Sequence, residues 1–144
     1  MVFLGAFAVD LLSKQWAVSH ASGLIFNSSP SEFPRRLLMS LVAITVAFVL
    51  ARAAALRGLG RQWGVWIGCA LLVAGILANG ISPFLWAQGV PDFIDVSGVW
   101  VWNVADFEIA VGLAGGILSV AFSAVVVYAR ERVRGPRSST RDLP

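Results

Sequence analysis

Long apolar stretches broken by short polar and basic segments set the pattern of this chain of 144 residues. A helix needs roughly 20 mostly apolar residues to cross a hydrocarbon core. By that measure the pattern predicts helices at about 1–21, 37–56, 63–81 and 104–128. The first is the least uniform, because Asp10, Ser13 and Lys14 interrupt it. It reads as a retained helix rather than a cleaved signal peptide: two charges lie in its apolar stretch and no basic region precedes it. Whether the natural start lies further upstream stays open.

The segments between the helices differ in character. The turn at 51–62 is basic, with Arg52, Arg57 and Arg61, and so is the end of the chain, with Arg130, Arg132, Arg134, Arg137 and Arg141. Four spans put both on one side, together with eight of the ten arginines. Basic loops stay in the cytoplasm, so both termini are expected there. The opposite face receives a polar loop with Asn27, Ser28, Ser29, Pro30, Ser31 and Pro34, and a longer connection from Pro83 to Asn103. Alternation in VSGVWVWNV permits a short strand, and Trp86, Trp100 and Trp102 suit a lipid–water interface. The expected fold is an all-α integral membrane protein: a four-transmembrane-helix bundle with a small irregular or β region outside. Residues 1–134 form one membrane domain, and 135–144, rich in Ser and Arg, form a disordered cytoplasmic tail.

Composition agrees: 58% of residues are hydrophobic and only 13% charged, against about a quarter charged in soluble domains. The net charge of +3 does not point to nucleic acid, because the arginines flank apolar runs as topology requires. Cys69 stands alone in an apolar run, so no intrachain disulfide forms and the thiol reads as a small core residue. The Gly115–Gly116 pair suits close helix packing.

Ionisable groups inside a bilayer are costly and need a reason. Asp10 and Lys14, acid four residues before base, can neutralise each other on one helix face. Asp92 follows a proline on the outer side and Asp106 opens the last helix. Each alone is accounted for as a cap or dipole partner. Brought to about 3 Å, two carboxyls share one proton, and the pair can act as base and acid on water and a carbonyl. Spacing alone does not establish that contact. Glu108 lies two residues beyond Asp106, about 200° around the helix, and is not expected to join such a pair. Metal chemistry lacks a ligand set, since His20 and Cys69 are alone and far apart.

The motifs, in order, resemble those of the lipoprotein signal peptidases (signal peptidase II). The likeness rests on Asp10 and Lys14 in DLLSKQW, Phe26–Asn27, Gly75 and Asn79 in GILAN, DFID at Asp92, and WNVAD from Asn103 to Asp106. It implies a membrane aspartyl endopeptidase of the bacterial inner membrane, monomeric and without cofactor, which removes the signal peptide of diacylglyceryl-modified prolipoproteins. Asp92 and Asp106 would be catalytic. Asn27, Asn79 and Asn103, with the Asp10–Lys14 pair, would support substrate or site. Where the family carries an Asp–Arg pair after the asparagine of the third helix, this chain has Ser82 and Pro83. Two other readings stay open: a non-cleaving homologue that binds lipoprotein signal peptides, and a small proton-linked membrane transporter.

Overall fold

The computed structural model describes residues 1–27, 33–56 and 63–134. The expected polar loop at 28–31, the arginines Arg57 and Arg61 of the basic turn, and the tail from 135 lie outside the described residues. The described helices are α1 (Val2–His20), α2 (Phe33–Leu56), α3 (Trp63–Leu85) and α4 (Val104–Arg134). Four short strands, β1 (Ile25–Asn27), β2 (Val90–Asp92), β3 (Ile94–Val96) and β4 (Trp100–Trp102), lie between them.

Three helices run longer than the hydropathy pattern predicts. α2 starts at Phe33 with Pro34 in its first turn, where a missing N–H costs nothing. α3 continues through Pro83 to Leu85, although Pro83 has no N–H for the Asn79 carbonyl. Beyond it the Trp86 N–H donates to the Ser82 carbonyl at 2.8 Å, which closes the last turn. α4 reaches Arg134, carrying the basic segment as helix.

α3 is the hub, with α1, α2 and α4 all packed against it. Its closest neighbour is α4, and the reason is a seam of glycines. A Cβ on Gly68 would meet the Gly112 carbonyl oxygen at 2.7 Å, and one on Gly112 would meet the Leu72 amide nitrogen at 2.5 Å. The two backbones therefore touch directly, the small-residue packing of apolar helices. Of the Gly115–Gly116 pair, Gly116 serves as expected, since a Cβ on Gly68 would also meet its amide nitrogen at 2.8 Å and its Cα at 2.9 Å, whereas a Cβ on Gly115 would meet nothing within 4 Å. Gly116, four residues after Gly112, shares its helix face, and Gly115 is turned off it.

The usual arrangement of polar and apolar groups is inverted. The largest fully buried side chains include Lys14, Asn103, Asp10 and Ser82, while Leu113, Ile117, Leu118 and Phe122 of α4 face outward. A soluble monomer does not expose so extended an apolar surface. Among the described residues α3 and Val104–Arg130 of α4 are long and apolar enough to span a bilayer, with mean hydropathy 2.0 and 2.3. α2 contributes a shorter apolar stretch, Leu37–Val49.

The strands form two antiparallel pairs at the end of the helices where α4 begins. β1 pairs with β2, placing Ile25 opposite Asp92 and Asn27 opposite Val90. β3 pairs with β4 through a turn in which Ser97 and Gly98 both have positive φ, +71° and +70°. The Gly98 N–H donates to Asp95 Oδ1 at 2.7 Å and steadies that turn. Of the interfacial tryptophans, Trp100 is exposed, but Trp86 is buried and part of the core.

Gly68→Val should lower stability by about 1–3 kcal/mol through overpacking of the seam. Gly115→Val should change it little. Thermal unfolding of the two variants in the same detergent checks this; equal midpoints would rule out a backbone seam.

Candidate active site

The site grows from α1. Asp10 and Lys14 point inward with no exposed surface, and Lys14 Nζ lies 2.7 Å from Asp10 Oδ2. The same ammonium donates to Asn79 Oδ1 at 2.6 Å and to Ser82 Oγ at 3.2 Å, both on α3. Its three donors thus have three acceptors. Ser82 in turn donates to the Ala78 carbonyl at 2.7 Å. The other Asp10 oxygen accepts the Ala105 N–H at 2.7 Å. That N–H is one of the donors a helix start leaves unpaired, and a negative charge there is favourable. One carboxylate on α1 therefore satisfies both a lysine and the start of α4.

α4 also caps itself. The Asn103 N–H donates to Asp106 Oδ2 at 3.0 Å, and the Asp106 N–H reaches Asn103 Oδ1 at 3.3 Å. This reciprocal pattern is a capping box, with Asn and Asp at the positions usually held by Ser/Thr and Glu. The cap uses the oxygen of the Asn103 amide and leaves its nitrogen for Asp92 Oδ1, at 2.5 Å. Asp106 Oδ1 accepts from Asn79 Nδ2 at 2.9 Å. Gly75 makes room for this corner, since a Cβ there would press on Ile109 Cγ1 at 2.9 Å and Glu108 Cβ at 3.1 Å.

Asp92 arrives from the other direction. It ends β2, is 3% exposed, and accepts from Asn103 and from the Asn27 side chain. Burial is the largest influence on its carboxyl and pushes the pKa up; the charge of Asp106 adds to this, against the two asparagines and Lys14. Asp92 and Asp106 are thus joined through one asparagine and feel each other's charge.

Asp10, Lys14, Asn27, Asn79, Asn103, Asp92 and Asp106 form one connected network. Ser82, read from the sequence only as a departure, belongs to it as well. Its spacing from Asn79, i and i+3, puts both on one face of α3, and that was the available signal. Glu108 is buried at 8% exposure and its Oε2 has no hydrogen-bond partner among the described residues. Asp95 serves the β3–β4 turn. His20 is exposed and stacks on Trp16, and Cys69 is a free, half-buried thiol. No group of His, Cys, Asp and Glu suited to a metal ion occurs among the described residues.

Apolar helices around a buried carboxyl–amide cluster define the class, a helical membrane protein with an acidic site. The profile of the signal peptidase (SPase) II family matches residues 2–122, and the chain belongs to that family of aspartic-type signal peptidases. No curated protein and no solved structure matches the chain.

Lys14→Met leaves Asp10 buried without its cation and should cost about 3–5 kcal/mol. Adding Asp10→Asn should cost less than the sum of the two single changes, since the partners are coupled; additive losses in thermal unfolding would refute the pairing.

A folded-state carboxyl pKa above its unfolded value contributes stability below the unfolded pKa, which is lost as pH rises through the folded one. Asp92→Asn should therefore raise the thermal midpoint at pH 7, and that gain should shrink toward pH 4. A constant difference across this range would contradict the assignment.

Proposed function

We propose that the protein is a membrane aspartyl endopeptidase that removes the signal peptide from diacylglyceryl-modified prolipoproteins. The single observation carrying this reading is Asn103, whose amide nitrogen holds Asp92 while its oxygen and backbone N–H hold Asp106. Asp92, whose carboxyl burial shifts toward the protonated form, is the acid that hydrogen-bonds to the scissile carbonyl. Asp106 is the base that takes a proton from water as the water oxygen attacks the carbonyl carbon. Collapse of the tetrahedral intermediate breaks the C–N bond before the lipid-modified cysteine, and the proton taken from water passes to the departing amine. Asn27, Asn79 and Asn103 hold the two carboxyls in place, and the Asp10–Lys14 pair holds the helices that present them.

The reading includes four spans with both termini in the cytoplasm of a bacterial cell, the protein lying in the inner membrane as a monomer. For α1, support comes from its two sides: Asp10 and Lys14 are buried, while Leu4, Val9, Leu12 and Trp16 face outward. The carboxyls and strands then lie at the outer leaflet, where a lipidated substrate stays anchored. Clustering at one end speaks against a proton path through the bundle. Ser82 favours a second reading, a homologue that binds lipoprotein signal peptides without cutting them.

Asp92→Asn and Asp106→Asn should each slow cleavage of a lipidated precursor by about 10²–10⁴-fold, read as a mobility shift on a gel. Full activity in either variant would remove the proposal. Wild-type protein that crosslinks to the precursor without cleaving it would establish the binding-only reading.

A further inference from the structure

Glu108 is a buried acid that the proposed chemistry does not use. It is 8% exposed, and its Oε2 has no hydrogen-bond partner among the described residues. Its place on α4 follows from Ala105, three residues earlier and on the same helix face. The Ala105 N–H donates to Asp10 Oδ1 at 2.7 Å, so Glu108 stands one turn further along the face that α4 turns to α1. On its other side α3 closes in at Gly75, where a Cβ would come within 3.1 Å of Glu108 Cβ. The carboxyl is close enough to Asp10 and Lys14 to feel both charges. Asp106, about 200° around α4, is turned away. α3 brings no charged side chain, and its thiol, Cys69, is six residues along the helix from Gly75.

An ionised Glu108 fits this setting poorly. Lys14 already has Asp10 at 2.7 Å, and it donates to Asn79 and Ser82 as well. Asp106, acting as a base, adds a second negative charge. A third, buried without a cation of its own, carries a heavy desolvation penalty. A neutral carboxylic acid avoids that penalty and gains an O–H donor. Apart from the Lys14 ammonium, Asp10 Oδ2 has no partner. That oxygen and Glu108 Oε2 are the two buried side-chain oxygens left without a hydrogen bond among the described residues. One proton between the two carboxyls satisfies both.

We propose that Glu108 is a positioning residue that keeps its proton and uses it to hydrogen-bond Asp10 Oδ2, directly or through one water. The bond fixes the Asp10 carboxylate, whose other oxygen holds the start of α4 at Ala105, next to Asp106. Without the proton, Glu108 repels Asp10 and competes for Lys14, which loosens the start of α4 and the carboxyl it presents. The effect on cleavage rests on the peptidase reading; the hydrogen bond does not.

The test compares the full wild-type chain with Glu108→Gln, which keeps a donor without a charge, and Glu108→Leu, which keeps neither. Glu108→Leu should lower kcat on a lipidated precursor about tenfold, the worth of one hydrogen bond, with KM unchanged. Glu108→Gln should recover kcat to within about twofold and lose the fall in rate that the wild type shows above neutral pH. Infrared spectra in detergent should show a protonated-carboxyl band at pH 7 that is missing from Glu108→Gln. Thermal unfolding gives a reading independent of cleavage. A carboxyl protonated in the folded state and ionised in the unfolded one costs stability at pH 7, and the cost fades toward pH 4. Glu108→Gln should therefore raise the midpoint at pH 7, with a gain that shrinks on acidification. A lowered midpoint, the mark of an ionised Glu108 paired with Lys14, would overturn the inference. So would an alkaline fall in rate unchanged in Glu108→Gln, or a Glu108→Leu variant as fast as the wild type. A protein that cleaves nothing removes the proposed function, while the missing band and the raised midpoint still sustain the bond to Asp10.

Discussion

The structure depends on one buried ammonium. Taking Lys14 out of water costs several kcal/mol even after the protein relaxes, and only a complete set of acceptors offsets it. That set comes from α1 itself, through Asp10, and from α3, through Asn79 and Ser82. Asp10 then extends the same constraint to α4 through the Ala105 N–H. Three helices are held in register by a charge that can be satisfied nowhere else in an apolar interior. Hydrophobic burial cannot supply that specificity where lipid competes equally for every leucine.

The start of α4 and the acidic site are the same few atoms. A helix must begin with a cap, and Asn103 with Asp106 supplies it. Because the cap consumes only part of each side chain, the remaining amide nitrogen and carboxylate oxygen are presented at fixed positions. Asp92 then needs only to be delivered, and the β1–β2 pairing does so while bringing Asn27 alongside. Sites held by backbone and cap geometry are better ordered than sites placed on free loops.

Much of this was legible in the residues. Hydropathy marks α3 and α4, and the i,i+4 spacing of Asp10 and Lys14 anticipates their contact. The family likeness picks out Asn79, Asn103, Asp92 and Asp106, which do meet in one network. Other features depend on contacts that local pattern cannot express. The β1–β2 pairing joins segments more than sixty residues apart. Pro83 reads as a helix stop, yet packing of α3 against its neighbours carries the helix past it. Trp86 looks interfacial until that extra turn places it inside. Ser82 looks like a lost charge until Lys14 is seen to need a third acceptor there.

Asn79 is followed directly by Gly80, the dipeptide in which asparagine most readily loses ammonia by attack of the next backbone nitrogen on its side-chain carbonyl. Both ends of that amide are committed, the oxygen to Lys14 and the nitrogen to Asp106. The helix also commits the Gly80 nitrogen to its own ladder, out of line for ring closure. The fold thus protects chemically the residue it positions. Any loosening of α3 at this point would expose the site to slow, irreversible ageing, with an aspartate appearing beside Asp106 where a neutral amide had linked it to Lys14.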